Sequence, residues 1–268
     1  MDDRWLSPQA IIKIGFEQCR VVMMNEAHHY MQRCIRTREV GKRILQIAHQ
    51  SGVRYLAMEA LTPADLIINQ TRRITSSDNE FFNQAEMRDF VQTALNLGWT
   101  LIAYDVDTRD YLHSKRLQLD YKAYTTEEWN DIVCTNEFWQ WRESSSAQTL
   151  TEQFMQLAED QKMLVWVGWQ HHSPKPIMMF DNEKQHTMGY YFQQITKTKY
   201  FSIDQTTTIF DDPYFEDWRL YAQNHIDSLN TFGGTAGFIR DNLPSELQTV
   251  SNLHLHDAYL LSTQNQMV

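Results

Sequence analysis

Short, almost continuously apolar runs recur along the chain at the length of a β-strand. The first four have scarcely a polar residue, which is the pattern of strands covered on both faces of an α/β sheet. Two later runs have similar length. We therefore predict a sheet of buried strands from the six runs at residues 21–24, 55–58, 101–104, 163–167, 200–203 and 258–261.

Segments with a single apolar stripe lie between these runs and predict helices over residues 31–50, 83–97 and 149–160. Gly52 and Gly98 follow the first two segments, at the position where a glycine commonly ends a helix. Because strands and helices alternate, the chain is typical of an α/β fold. We expect a mainly parallel, or mixed, central sheet flanked by helices.

The domain organisation is read from the remaining segments. Residues 108–148 are polar with interspersed tryptophans, and we predict a helical insertion or cap there. Residues 206–256 have the weakest pattern. Since no repeat and no linker interrupts the chain, we predict one α/β domain over residues 1–268.

Charge and composition exclude several classes of protein. Lys and Arg total 24 and Asp and Glu total 34, so the formal net charge is −10 and a nucleic-acid partner is not expected. Three scattered cysteines do not form a disulfide framework, and the apolar runs are too short for a membrane span. We expect a soluble, cytoplasmic protein. Secretion by a route that needs no N-terminal signal stays open as an alternative.

Ionisable residues directly follow four of the predicted strands. Parallel strands end at the same edge of a sheet, which is where open α/β proteins bind ligands. We therefore predict that these residues form one functional site: Glu26, His28, His29, Glu59, Asp105, Asp107, His171 and His172. The alternative for each residue taken alone is a solvated loop, a helix cap or an ion pair, such as Asp107 with Arg109.

Histidines and carboxylates in one site can bind a transition metal or carry out general acid–base chemistry. Arg36, Arg38 and Arg142 are candidates for a positive group that stabilises a developing oxyanion. The chain has no Gly-x-Ser-x-Gly elbow and no glycine-rich phosphate loop. A serine or cysteine nucleophile and a nucleotide cofactor are therefore not favoured.

Three motifs resemble one superfamily in order and spacing. The first ends in Asn25-Glu26-Ala27-His28-His29, the second in Met58-Glu59-Ala60, and the third in Gly168-Trp169-Gln170-His171. They are similar to motifs of erythromycin-esterase-like hydrolases, ChaN-type haem-binding lipoproteins, TraB proteins and TIKI metalloproteases. Arg142 and the stretch Met188-Gly189-Tyr190 resemble the esterase-like branch most.

The resemblance implies a site of Glu26, His28 or His29, Glu59 and His171. In the TIKI and haem-binding branches the histidine lies two residues after the glutamate, which matches His28. In the esterase-like branch it lies three residues after, which matches His29. Asn25 departs from the family pattern, because a glycine usually stands at this position. An asparagine narrows the range of backbone conformations that the turn can adopt.

Our leading hypothesis is a hydrolase of ester or amide bonds with a small-molecule or peptide substrate. Glu26 and His28 or His29 would activate water, Glu59 would orient a histidine, and His171 with Arg142 would stabilise the charged transition state. Asp105, Asp107, His172 and Arg36 are expected on the substrate side. A divalent transition metal held by Glu26, His28, Glu59 and His171 is a secondary expectation, and haem is less favoured.

Two alternatives belong to other functional classes. One is a haem-binding or small-molecule-binding protein of the ChaN type without catalysis, because histidine, tyrosine and methionine can all ligate haem iron. The other is an interaction protein with no enzymatic activity.

Overall fold

The computed structural model describes residues 4–29, 32–59, 61–74, 80–169, 171–178, 183–209, 216–248 and 255–263. Its strands are β1 (Val21–Glu26), β2 (His28–His29), β3 (Gln32–Arg33), β4 (Val53–Met58), β5 (Thr100–Ala103), β6 (Lys162–Gly168), β7 (Ile177–Met178), β8 (Lys184–Gln185), β9 (Phe201–Asp204), β10 (Thr235–Ile239) and β11 (Ala258–Ser262).

Seven of these strands form the central sheet, in the order β10-β11-β9-β1-β6-β4-β5. Neighbouring strands are parallel except β10 and β11, which are antiparallel. Two short antiparallel hairpins, β2–β3 and β7–β8, lie apart from the sheet. The prediction of an α/β fold with a mainly parallel, mixed sheet is confirmed, and each predicted apolar run overlaps a strand.

The α-helices cover both faces of the sheet. They are α1 (Pro8–Gln18), α2 (Ile35–Gln50), α3 (Ile68–Thr71), α4 (Ala85–Asn96), α5 (Thr108–Ser114), α6 (Thr126–Val133), α7 (Asn136–Met155), α8 (Met188–Thr196), α9 (Glu216–Asn224) and α10 (Ile226–Thr231). The core divides accordingly: α1, α2 and α4 pack on one face, and α7 and α8 pack on the other.

Alternation along each strand assigns its residues to these two faces. Met24 and Met58 point toward α2 and α4, whereas Met23 and Ala57 point toward α7 and α8. This phase decides on which side of the sheet a polar residue lies when it follows the apolar part of a strand.

Local signals in the sequence explain where two of the helices end. Gly52 and Gly98 follow α2 and α4 with φ angles of 90° and 84°, in the left-handed region that glycine adopts without strain. Their amides donate to His49 O and Leu95 O at 3.0 and 2.9 Å, which satisfies carbonyls of the last turn.

The predicted boundaries near α7 are wrong. This helix begins at Asn136 rather than within residues 149–160, because Thr135 caps it by accepting a hydrogen bond from Phe138 N at 3.2 Å. Its apolar stripe of Ala147, Leu150 and Phe154 packs on the sheet. Residues 108–148 thus supply α5, α6 and the first part of a helix that belongs to the core.

In the part of the chain that is described, no helix combines the length and the apolar character needed to traverse a bilayer. Residues 206–256 contribute α9, α10 and β10. Their apolar side chains, with Trp5 and Tyr259, form a separate cluster at the β10–β11 edge of the sheet.

Candidate functional site

Polar residues gather where the parallel strands β4, β5 and β6 end. Glu59 directly follows β4, Asp105 lies two residues after β5, and His171 lies three residues after β6. Glu59 continues the phase of Ala57, so its side chain lies on the face covered by α7. Helix α7 brings Arg142 to the same place.

Arg142 bridges two of the strand ends. Its Nη2 lies 2.5 Å from Glu59 Oε1 and 2.7 Å from Asp105 Oδ2. Although burial disfavours the charge, Asp105 and Glu59 raise the pKa of Arg142 well above its usual range. Gly168 N donates to Glu59 Oε2 at 2.6 Å, and Ser146 Oγ donates to Asp105 Oδ1 at 2.8 Å. The two carboxylates are therefore fixed in orientation.

The imidazole of His171 completes this group. Its Nδ1 lies 2.6 Å from Glu143 Oε1, and its Nε2 lies 3.8 Å from Glu59 Oε1 and 3.4 Å from Arg142 Nη1. Burial alone would lower the pKa of His171, but the carboxylates of Glu143 and Glu59 outweigh burial and raise it. The neighbouring carboxylates therefore favour the charged imidazolium more than water does around a free histidine.

We call Glu59, Asp105, Arg142, Glu143 and His171 the Arg142 cluster. Its side chains keep some access to solvent, with 24% of Arg142, 14% of Glu59 and 12% of His171 exposed. Three carboxylates face one guanidinium and one imidazole. The cluster is therefore negative in total charge whether or not His171 is protonated, and its electrostatics do not favour an anionic substrate.

Glu26 lies on the other face of the sheet. It shares the phase of Met24, and its carboxylate accepts two hydrogen bonds from Arg38 of α2, Nε to Oε2 at 2.8 Å and Nη2 to Oε1 at 3.0 Å. Trp166 Nε1 donates to Oε2 at 3.0 Å. The structure therefore does not bring the Glu26 side chain together with Glu59 and His171, and its predicted catalytic role stays a prediction.

The turn that follows β6 is held in a strained conformation. Trp169 has a φ of 30°, which is uncommon for a residue with a side chain. Its amide donates to Glu26 O at 3.0 Å, and its carbonyl accepts from Asn25 Nδ2 at 2.6 Å. Asn25, in the position where the resembling families have glycine, thus fastens the turn that leads to His171.

Asn25 also connects β1 to β9. Its Nδ2 donates to Asp204 Oδ1 at 2.7 Å and to Thr206 Oγ1 at 3.2 Å, and its Oδ1 accepts from Gln205 N at 2.9 Å. All of these partners are buried. The asparagine therefore ties together three segments at the edge of the sheet.

His172 is fully buried rather than exposed to a substrate. Its ring stacks on that of His256 with 4.4 Å between the ring centroids, and its Nε2 lies 3.0 Å from Ile203 O. Within the described residues, Nδ1 of neither ring has a hydrogen-bond partner. Burial and the neighbouring His256 lower the pKa of His172 well below its usual range. Burial and Arg240 lower the pKa of His256 to about 3.

Two other predicted substrate contacts have local partners. Asp107 caps α5 by accepting from Arg109 N at 2.9 Å, and it forms an ion pair with the side chain of Arg109. Arg36 lies 3.4 Å from Glu39 and donates to Gly233 O at 3.4 Å. The side chains of His28 and His29 lie outside the described residues, although their backbone forms β2 next to the end of β1.

The expected metal set does not fit these contacts. Arg38 occupies both oxygens of Glu26, and Arg142 and Gly168 occupy those of Glu59. Among the described side chains, no group of three or more His, Cys, Asp or Glu residues is arranged to hold a metal ion.

Sequence reasoning missed Glu143 and Trp139. Both lie on the buried side of α7, where Trp139 stacks on His171 with ring centroids 4.9 Å apart. The sequence did contain a signal for Glu143, since it lies four residues from Trp139 and from Ala147 and therefore on the helix side that faces the sheet. A carboxylate buried there requires a partner.

Solved structures share this fold. A Bacillus cereus protein superposes with a TM-score of 0.62 and is 12% identical over 97% of this chain and 95% of its own. A mutant of the erythromycin esterase EreC in its open conformation has a TM-score of 0.59 and is 9% identical, covering 98% of both chains. ChaN of Campylobacter jejuni, solved with cofacial haem, has a TM-score of 0.48 and is 10% identical, covering 94% and 91%.

The expected resemblance is therefore confirmed at the level of the fold, which the Bacillus cereus protein and the erythromycin esterase share. The chain also spans 34 to 37% of the length of the bacterial toxin chains that it matches. No protein-family model matches the chain, and no curated protein matches its sequence. A fold shared at this identity does not determine an activity, which depends on the geometry and chemistry of the site.

Proposed function

We propose that this protein is a hydrolase of ester or amide bonds and that the Arg142 cluster is its reaction centre. The observation that carries the proposal is the placement of His171, whose Nδ1 is bound by Glu143 while its Nε2 faces Glu59 and Arg142. A histidine oriented by a carboxylate, beside a fixed guanidinium and at the partly exposed edge of a parallel sheet, is a common arrangement in enzymes.

In this proposal His171 stabilises negative charge on the substrate. Because Glu143 and Glu59 raise its pKa, the imidazolium is available to donate a hydrogen bond from Nε2 to the oxyanion that forms when water attacks a carbonyl carbon. Arg142 contributes a second positive charge that does not depend on pH. Glu59 holds both groups in place.

His28 or His29 remains the candidate that removes the proton from the attacking water. Strand β2 follows directly after β1, so both residues lie at the same edge of the sheet as the Arg142 cluster. Glu26 pairs with Arg38 on the opposite face of the sheet, and its contribution to catalysis stays a prediction. The charge of the cluster favours neutral or cationic substrates over phosphate esters.

The test is a hydrolysis screen with matched variants. The purified protein would be assayed on neutral aryl esters, lactones including erythromycin, and amides, together with the variants His171→Gln and Glu59→Gln. We expect His171→Gln to lower kcat/KM by about 100-fold or more, since it removes a charged donor to the oxyanion. The exposed His113 on α5 gives a matched control, His113→Gln, which is expected to retain full activity.

Two results would overturn the proposal. One is the absence of hydrolysis across the whole panel by well-folded protein. The other is a His171→Gln variant that hydrolyses the best substrate at the rate of the unmodified protein. A haem-binding protein without catalytic activity would show no hydrolysis and, in addition, a saturable Soret shift on titration with haemin.

A further inference from the structure

The ring of His171 is held from several directions by residues that the sequence motifs do not include. Glu143 binds Nδ1 at 2.6 Å, and Trp139 stacks on the ring at an interplanar angle of 18°. The backbone is held as well, because Gly189 N donates to His171 O at 2.9 Å. The ring therefore has little freedom to rotate.

Glu143 is itself fixed by the start of α8. Its side chain is only 2% exposed, and its second oxygen accepts from Met188 N at 2.6 Å. Met188 is the first residue of α8, where unpaired amides and the helix dipole favour a negative charge. The glutamate thus lies between a helix N-terminus and an imidazole, with one oxygen bound to each.

The close approach of α8 depends on a glycine. A Cβ at Gly189 would lie 2.8 Å from His172 O, which is closer than side chains tolerate. Tyr200 Oη donates to the same carbonyl at 2.9 Å. The first turn of α8 can therefore reach both the turn that carries His171 and the carboxylate of Glu143.

This arrangement determines which nitrogen of His171 carries the proton. An ionised carboxylate only accepts hydrogen bonds, so Nδ1 must be the protonated nitrogen next to Glu143. In the neutral ring, Nε2 then has a lone pair that can accept a hydrogen bond, as from Arg142 Nη1 at 3.4 Å. In the charged ring, Nε2 carries a proton that points toward the cluster. Nε2 is therefore the atom that reacts or donates in either state.

We infer that Glu143 is a positioning residue, which fixes the tautomer and the orientation of His171 from the first turn of α8. Its chemical meaning rests on the proposed function, because the inference assigns a device for presenting Nε2 of the same site. The placement of the proton is nevertheless a property of the free protein. It can be measured without any substrate.

The test is the tautomer of His171, read from long-range ¹H–¹⁵N correlations of protein labelled at histidine. In the unmodified protein we expect neutral His171 to carry its proton on Nδ1. Glu143→Ala is expected to shift the tautomer toward Nε2–H, and Glu143→Asp, which keeps the charge, to restore Nδ1–H in part. Glu152→Gln, an exposed glutamate on the same helix, is the matched control and is expected to change nothing.

Kinetics give a second readout that a purely structural role would not move. On the best ester or amide substrate, Glu143→Gln is expected to lower kcat/KM by about 10- to 100-fold and to shift the pH profile to lower pH, since the imidazolium loses its carboxylate. KM should change little, because Glu143 does not reach the substrate.

The two proposals fail in different ways. A proton on Nε2 of neutral His171 in the unmodified protein, or an unchanged tautomer in Glu143→Ala, would overturn the positioning role whatever the activity. Hydrolysis that is absent while Nδ1 carries the proton would overturn the hydrolase and leave the positioning of His171 supported.

Discussion

Two carboxylate–guanidinium pairs lie at the same edge of the sheet, on opposite faces, and they differ in their access to solvent. In the Glu26–Arg38 pair the side chains are 3% and 1% exposed, and a tryptophan indole completes the hydrogen bonds. In the Glu59–Arg142 pair they are 14% and 24% exposed, and a histidine adjoins them. Similar residue types therefore form a fully buried ion pair in one case and a partly solvent-exposed ion pair in the other.

The difference shows that strand-end position does not by itself predict chemistry. A charge pair that is fully buried and fully hydrogen-bonded has no group left for a ligand. A pair whose carboxylate also neighbours a histidine, and which is accessible to water, can contact a ligand. The comparison can be tested by removing one partner from each pair and measuring stability and activity separately.

The largest effect is expected from removing Arg38. The variant Arg38→Met leaves the carboxylate of Glu26 buried without its cation, and we expect the free energy of unfolding to fall by about 3–5 kcal/mol. Urea denaturation would measure this loss. The double variant Glu26→Gln, Arg38→Met removes both charges and is expected to recover most of it. A loss below about 1 kcal/mol in the single variant would contradict the interpretation of Glu26 and Arg38 as a fully buried ion pair.

Stability is also expected to fall with acid because of the stacked His172–His256 pair. The pKa values of both are lowered in the fold, mainly by burial, and that of His256 is lowered to about 3. Below their usual value the unfolded chain therefore binds more protons than the folded one, and stability decreases as pH falls. We expect a loss of about 2–4 kcal/mol between about pH 7 and pH 5.

Neighbouring charges modify this expectation. Asp204 opposes the lowering at His172. The raised pKa of His171 acts in the opposite sense, since its contribution is complete below its unfolded pKa and is lost as pH rises through the folded value. The variant His256→Asn should reduce the slope of stability against pH by about one proton. Melting temperatures that stay constant over this range would show that the pair is not buried as neutral imidazoles.

Removing Arg142 is expected to cost less stability than removing Arg38. Because Glu59 and Asp105 have access to water, Arg142→Gln should lower the free energy of unfolding by about 1–2 kcal/mol, while hydrolysis falls strongly. The charge of Arg142 opposes protonation of His171, so the pKa of His171 should rise further in the variant. A stability loss equal to that of Arg38→Met would remove the distinction between the two pairs.

The smallest effect is expected at Asp107. This residue caps α5 and pairs with Arg109 at the surface, so Asp107→Ala should cost about 1 kcal/mol or less of stability. Hydrolysis should stay within a factor of about two of the unmodified protein, because the side chain is committed to the cap. A loss of activity without a loss of stability would instead support its predicted contact with the substrate.

The fold could be predicted from the sequence because buried parallel strands have a distinctive apolar pattern. The neighbourhood of Glu59, Asp105 and His171 followed from the same reasoning, since parallel strands end at one edge. The phase of each strand relative to its neighbours could not be predicted. Met24 and Met58 both pair with Trp166, which places Glu26 on one face and Glu59 on the other.

The contribution of α7 was also beyond the sequence pattern. The rotation of a helix about its axis depends on how its whole apolar stripe packs, so the pattern did not show that Arg142 and Glu143 would both reach the strand ends. The roles of His28, His29 and Glu26 in catalysis stay predictions. Their residue types were evident, whereas the orientation of a side chain after a strand depends on partners that are distant in sequence.

The hydrogen bonds of the Asn25 side chain have a practical consequence for directed evolution. One amide fastens β1, the start of the segment after β9 and the strained turn at Trp169. A mutant library that keeps Asn25 constant and varies the outer surfaces of α9 and α10 should therefore yield a larger share of folded members than one that randomises this position. Asn25 is therefore a position to keep constant in such a library, and its side-chain contacts lie outside the Arg142 cluster.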